Sequence, residues 1–436
     1  MRAHVARPFV GSILTVVAVS TLAALGAPVA VPAIDGVPTA APEDVGMSTE
    51  RLERLDRVMQ AYVDRGEVAG VVSLVARRGK VVHFSTFGHR ELESGTAMTH
   101  DTIFRIASMT KPITSVALMM LYEEGYFQLR DPISKWLPEF ADMRVAMPST
   151  YDELGRAGYR TVAASRPITV QHILTHTAGL ANNDRGLTRA EFDAINNSRQ
   201  PGDTVGDFVS QLAELPLNFN PGDAWEYGNA TDIAGHLVEV MSGQTLDEFM
   251  RERIFEPLDM RDTHFYLPRS KLDRFAALYR VNDHGGLALR EAPDANSRYV
   301  REPHTYFSGN GGLVSTARDY FRFSQMMLNG GQLDGVRLLS RKTVELMTVN
   351  HVGNHDIWIL GPGYDFGLGY AIVQDPGLTA MPQSVGSHFW WGAFATTFWI
   401  DPAEELIGIV LLQIRPYTHF NLRQDMATLT YQAIID

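Results

Sequence analysis

Apolar positions along the chain follow two spacings, and the spacings divide it. From Ser48 onward, Leu52, Leu55, Val58, Met59 and Tyr62 recur on one helical face that Gly66 stops. Val71–Ala76 and Val81–Phe87 are β-branched or aromatic runs joined through Arg77-Arg78-Gly79-Lys80, which predicts a hairpin. Ile113, Val116, Ala117, Met120 and Leu121 have the spacing of an amphipathic helix that ends at Gly125. Between residues 141 and 301, helix signals at 170–177, 230–242 and 246–254 alternate with loops rich in Asn, Asp, Gly and Arg. Strand signals return at 369–374, 396–400 and 406–413, and a closing helix is expected from about 422 to 435. Strands at both chain ends around a helical middle predict one mixed sheet with a helical domain. The expected division is a sheet domain from 34–140 and 302–436, and a helical domain over 141–301 whose loops shape specificity.

The first 33 residues follow a different pattern. Arg2 and Arg7 precede an uncharged run from Pro8 to Ile34, apolar from Phe9 to Leu25 and then rich in small residues and Pro. That order predicts a signal peptide over 1–33, cleaved between Gly26 and Ala33, and a secreted or periplasmic product. Left uncleaved, the run is almost long enough to anchor the chain in a membrane. No second run of that length follows, so stable insertion after cleavage is not expected.

Composition narrows the chemistry. The 436 residues are 45% hydrophobic and 20% charged, as in ordinary folded chains, and suffice for two or three domains. A net charge of −12 argues against nucleic acid as a partner. The chain has no cysteine, which removes disulfides, thiolate catalysis and Cys-ligated metals. No G-x-S-x-G, P-loop, dinucleotide fingerprint or H-E-x-x-H occurs. His172/His176 and His351/His355 have H-x3-H spacing, but neither pair carries the neighbouring Glu or further ligands of a zinc site. No metal or organic cofactor is expected.

One serine–lysine pair stands out in a chain with only five lysines. Ser108-Met109-Thr110-Lys111 opens the helix of Ile113–Leu121, and the i, i+3 spacing sets hydroxyl and amine one turn apart on the same face. Unpaired N–H groups at that helix start favour an oxyanion, and burial beside the apolar face lowers an amine towards the range of a general base. A Ser cap beside a solvated lysine would give the same letters. Tyr227-Gly228-Asn229 supplies a phenol that can relay protons, or an aromatic core residue followed by an Asn cap. Trp390-Trp391-Gly392-Ala393 precedes the strand signal at 396–400, and Gly392 permits close backbone approach.

In this order and spacing, S-M-T-K, Y-G-N and W-W-G resemble the serine hydrolases related to class C β-lactamases. FRIASMTKPITS, ITVQHILTHTAGL, EYGNATDIAGHLVEVMSG, FEPLDMRDTHF and GNGGLVSTARDY are written in the same style, so the resemblance spans about residues 43 to 432. It implies a β-lactamase/transpeptidase-like α/β (α+β) fold: a mixed, largely antiparallel sheet flanked by helices, plus an all-helical domain, with the active site between them. It also implies Ser108 as acylated nucleophile, Lys111 and Tyr227 as base and proton shuttle, and Asn229 at the substrate. The backbone N–H groups of Ser108 and Ala393 become the oxyanion hole. Where β-lactamases and peptidases carry a cation for the substrate carboxylate, this chain has Trp390, as the family VIII carboxylesterases do. The expected reaction is therefore hydrolysis of a small-molecule carboxylic ester, short-acyl or aryl. The alternatives are a β-lactamase or D-alanyl-D-alanine carboxypeptidase, and a non-catalytic penicillin-recognising protein.

Overall fold

The antiparallel sheet at the centre of the protein takes strands from both chain ends. In this computed structural model the described residues are 32–151, 157–182 and 185–436, so all but the last two residues of the predicted signal peptide lie outside them. Helix α1 (Thr49–Asp64) leads into β1 (Gly70–Arg77) and β2 (Lys80–Glu91), followed by the short edge strand β3 (Thr96–Ala97). Helix α2 (Thr110–Glu123) follows, then α3 (Ala230–Ser242) and α4 (Ala317–Leu328). The chain closes with β4 (Tyr364–Phe366), β5 (Ala371–Val373), β6 (His388–Trp391), β7 (Thr397–Asp401), β8 (Leu406–Leu411) and α5 (Leu422–Tyr431). The spatial order is β4-β5-β6-β7-β8-β1-β2-β3, so β8 from the C-terminal part pairs with β1 from the N-terminal part, Leu74 opposite Ile409.

The sheet was expected to be mixed and largely antiparallel, and every neighbouring pair in it is antiparallel. Tight turns join β1 to β2, β6 to β7 and β7 to β8, and short turns can join only antiparallel neighbours. Strand β1 is buried throughout, and its side chains alternate between two cores. Val72, Leu74 and Ala76 face the core shared with α2 and α4, while Val71 and Val75 face α1 and α5. The layers are therefore helix, sheet and helix.

The 141–301 stretch holds α3 and several shorter helices as expected. It is not helical throughout: Arg144–Tyr151 pairs with Ala157–Ala163, and Leu278–Val281 with Leu287–Glu291. Their period-two patterns are short and polar, so they give no buried-strand signal. The predicted helices over 170–177 and 246–254 are regular α-helix only at Val170–Leu174 and Leu246–Met250. His176 in the left-handed region (φ 58°) breaks the first. Among the described residues, no helix is long and apolar enough to cross a membrane.

Candidate active site

Ser108 stands where the chain turns from the short strand Phe104–Arg105 into α2, on a single 3-10 turn formed by Ala107–Met109. Ala107 adopts φ 45°, a conformation that costs an L-residue energy and that the surrounding bonds impose. Ile106 N–H donates to the Leu313 carbonyl (3.1 Å), and the Tyr320 hydroxyl of α4 donates to the Met109 carbonyl (2.9 Å). The Thr396 hydroxyl donates to the Ile106 carbonyl at 3.3 Å. These tethers fix the backbone on both sides of Ser108.

Two side chains converge on the serine oxygen. Lys111 Nζ lies 3.0 Å from Ser108 Oγ, and the Tyr227 hydroxyl donates to that oxygen at 2.7 Å. The pair separated by 119 residues in sequence is thus closer than the pair on one helix. Lys111 Nζ also donates to the Asn310 carbonyl (2.8 Å) and sits 4.6 Å from the Tyr227 ring centroid. Burial on α2 lowers its pKa to about 7, against an opposing pull from the Asp232 carboxylate. A large fraction of the amine is therefore neutral near pH 7, as a base requires.

Sequence reasoning missed Asp232. It lies in the first turn of α3, where an acid is ordinarily read as a partner of the helix dipole. Here it is buried and accepts from the Ser308 hydroxyl (2.7 Å) and the Asn310 N–H (2.9 Å). It thereby fixes Asn310, whose carbonyl holds Lys111. His176 packs its ring 5.0 Å from that of Tyr227, and burial keeps it neutral. His172 Nδ1 accepts from the Thr169 N–H in a capping box.

The third motif is built differently from the expectation. Trp390 lies on a strand of its own, β6, and is only 1% exposed. Its indole does not line the cavity; it packs behind Tyr227 and donates from Nε1 to the Tyr227 hydroxyl at 3.3 Å. A donor to the phenol oxygen favours the phenolate. Gly392 does not line the cavity either. A Cβ there would overlap the Thr396 hydroxyl and the Ile106 carbonyl oxygen, so glycine is what lets the end of β6 lie against the backbone preceding Ser108. That contact brings Ala393 beside Ser108 on the wall of one cavity.

The cavity has a volume of about 700 Å³. Ser108, Asn229, Asn310 and Ala393 form its reactive end, and Phe192, Phe208, Phe265 and Phe394 give it apolar walls. Asn229 precedes α3 without a side-chain cap bond and instead accepts from Asn310 Nδ2 at 3.2 Å. Arg199, Arg298, Arg301 and Arg415 also line the cavity, so loss of a cation at residue 390 does not leave it without positive charge. A Ser–His–Asp grouping also exists elsewhere, with Ser73 Oγ 2.8 Å from His83 Nε2 and His83 Nδ1 3.8 Å from Asp56. Ser73, on β1, is fully buried, where no substrate reaches it. Among the described residues no cluster of three or more His, Asp or Glu is arranged to hold a metal.

The β-lactamase family model matches residues 55–431. Protein Rv1367c of Mycobacterium tuberculosis is 34% identical over 366 residues, covering 81% of this chain and 88% of its own. Esterase EstB of Burkholderia gladioli is 30% identical over 377 residues, covering 82% and 89%. Among solved structures, EstCE1, a hydrolase with promiscuous acyltransferase activity, superposes with a TM-score of 0.75 at 26% identity, covering 87% of this chain and 98% of its own.

Proposed function

Because the chain belongs to the β-lactamase family of serine hydrolases, we propose that its reaction is the hydrolysis of short-acyl or aryl carboxylic esters through an acyl-enzyme on Ser108. The observation that carries this reading is the convergence of Lys111 (3.0 Å) and Tyr227 (2.7 Å) on one serine oxygen at the wall of a cavity. A neutral Lys111 donates one N–H to the Asn310 carbonyl and offers its lone pair to the Ser108 hydroxyl proton. As Ser108 Oγ bonds to the acyl carbon, that proton passes to Lys111. The carbonyl oxygen becomes an oxyanion, held by the backbone N–H groups of Ser108 and Ala393. Collapse breaks the ester C–O bond. Tyr227 gives its proton to the departing alkoxide and regains one from the Lys111 ammonium, while the Trp390 indole N–H steadies the transient phenolate. Water then attacks the acyl-enzyme by the reverse proton path and releases the acid.

A second reading, β-lactam or D-alanyl peptide hydrolysis, is favoured by the arginines that line the cavity, since a guanidinium pairs well with a substrate carboxylate. The two readings separate in one measurement, kcat/KM for a panel of p-nitrophenyl esters against nitrocefin. Esters are expected to exceed nitrocefin by at least tenfold, and the reverse order overturns the ester reading. A fluorophosphonate is expected to add once, at Ser108; an adduct on another serine, or none, removes the mechanism and restores the non-catalytic alternative.

A further inference from the structure

A second cavity, of about 290 Å³, opens on the α5 side of the sheet and shares no residue with the first. Its floor is aromatic: Phe389 and Trp391 of β6 lie nearly parallel (21°) with centroids 6.3 Å apart, and Tyr364, Leu360, Leu378 and Met381 close the sides. Arg423, in the first turn of α5, lines the same cavity. Its guanidinium carbon lies 4.9 Å from the Trp391 centroid and 5.1 Å from that of Tyr417. Among the described residues this guanidinium has no carboxylate partner and no hydrogen-bond acceptor. The acid nearest in sequence, Asp425, is engaged elsewhere by the Tyr62 hydroxyl at 2.6 Å.

The guanidinium is half-buried and stacks on two rings. That cover removes hydration, which pulls its pKa below the ordinary arginine range, and the usual remedy is a paired anion. Nothing in the proposed ester chemistry uses Arg423. The guanidinium fork matches the two oxygens of a carboxylate, and the aromatic lining matches an aryl ring packed beside Phe389 and Trp391, the latter itself stacked on Trp390 (centroids 4.4 Å). The geometry points to a binding site, separate from the Ser108 cavity, for an aromatic monocarboxylate whose ring packs beside Phe389 and Trp391 and whose carboxylate pairs with Arg423.

The test titrates the full chain carrying Ser108→Ala with 2-naphthoate, following heat and tryptophan fluorescence. Saturable binding is expected. It should weaken roughly 10- to 100-fold in Arg423→Gln, the worth of a charge-assisted bond, and by a similar factor when 2-naphthamide replaces the acid. Met381→Trp, which fills the cavity and leaves Arg423 in place, should also abolish it. Fluorophosphonate-blocked enzyme with Ser108 intact should bind as the Ser108→Ala chain does. With Ser108 intact, Arg423→Gln should keep its p-nitrophenyl acetate hydrolysis within about twofold, which shows that it folds. No binding, equal binding of acid and amide, binding unaffected by Arg423→Gln, or binding lost on blocking Ser108 would each overturn the assignment.

Discussion

At the scale of single residues, the site depends on a lysine held neutral and a glycine that cannot carry a side chain. With the Lys111 pKa at about 7, kcat/KM for acylation should rise as pH passes through 7 and level off above it. Asp232→Asn keeps an acceptor for Ser308 and Asn310 but removes the charge that favours the ammonium. Its rising limb should therefore move to lower pH, which a pH–rate profile detects. Lys111→Met should abolish acylation without lowering Tm, because it replaces a buried amine with an apolar chain of similar length. A loss of several degrees would mean that the amine is needed for the fold. Gly392→Ala forces β6 away from Ile106 and displaces Ala393, so kcat should fall at least 100-fold, the order found when one oxyanion donor is lost.

Between elements, the question is which contacts serve the serine turn and which only hold the layers together. The bond from Tyr320 of α4 to the Met109 carbonyl joins that helix to the backbone just after Ser108, wholly inside the core. Tyr320→Phe should cost about 1–2 kcal/mol in a urea titration and lower kcat as well, since the turn loses a fixed point. Ser48 makes the contrast. Its side chain accepts from the Arg51 N–H at the start of α1, on the far side of the sheet from Ser108. Ser48→Ala should cost about 1 kcal/mol with kcat/KM unchanged. Equal kinetic effects from the two changes would show that stability, and not positioning, limits the reaction.

Across the whole molecule, burial of histidines sets the response to acid. His388, His172 and His264 each have a pKa lowered to about 4, chiefly by burial. Unfolded histidine titrates near 6.5, so the unfolded chain takes up these protons first; stability is full above 6.5 and declines as pH falls towards 4. Buried Asp319, pushed up to about 6, works the other way, as does Asp232, but His83 and His176, also lowered by burial, add to the three. Tm should therefore fall between pH 7 and 4.5, and less steeply in His388→Phe. We also propose export: the 1–33 run should be missing from protein recovered outside the cytoplasm, and Met1 on a membrane-bound chain would favour an anchor. How much of this was legible in the sequence follows from the range of each interaction. Periodicity and apolar runs located α1, the β1–β2 hairpin, α2 and α3, since burial leaves its imprint on neighbouring residues, although α2 and β1 are buried on every side and not on one face. The Ser108–Lys111 pair was legible for the same reason, being one helical turn. It could not reveal that Trp390 supports Tyr227 from behind, that Asp232 secures Lys111 through Asn310, or that four loop arginines reach one cavity. Those contacts join segments about 80 to 200 residues apart, and only the packing of α3 on α2 and of β6 against the serine turn brings them together.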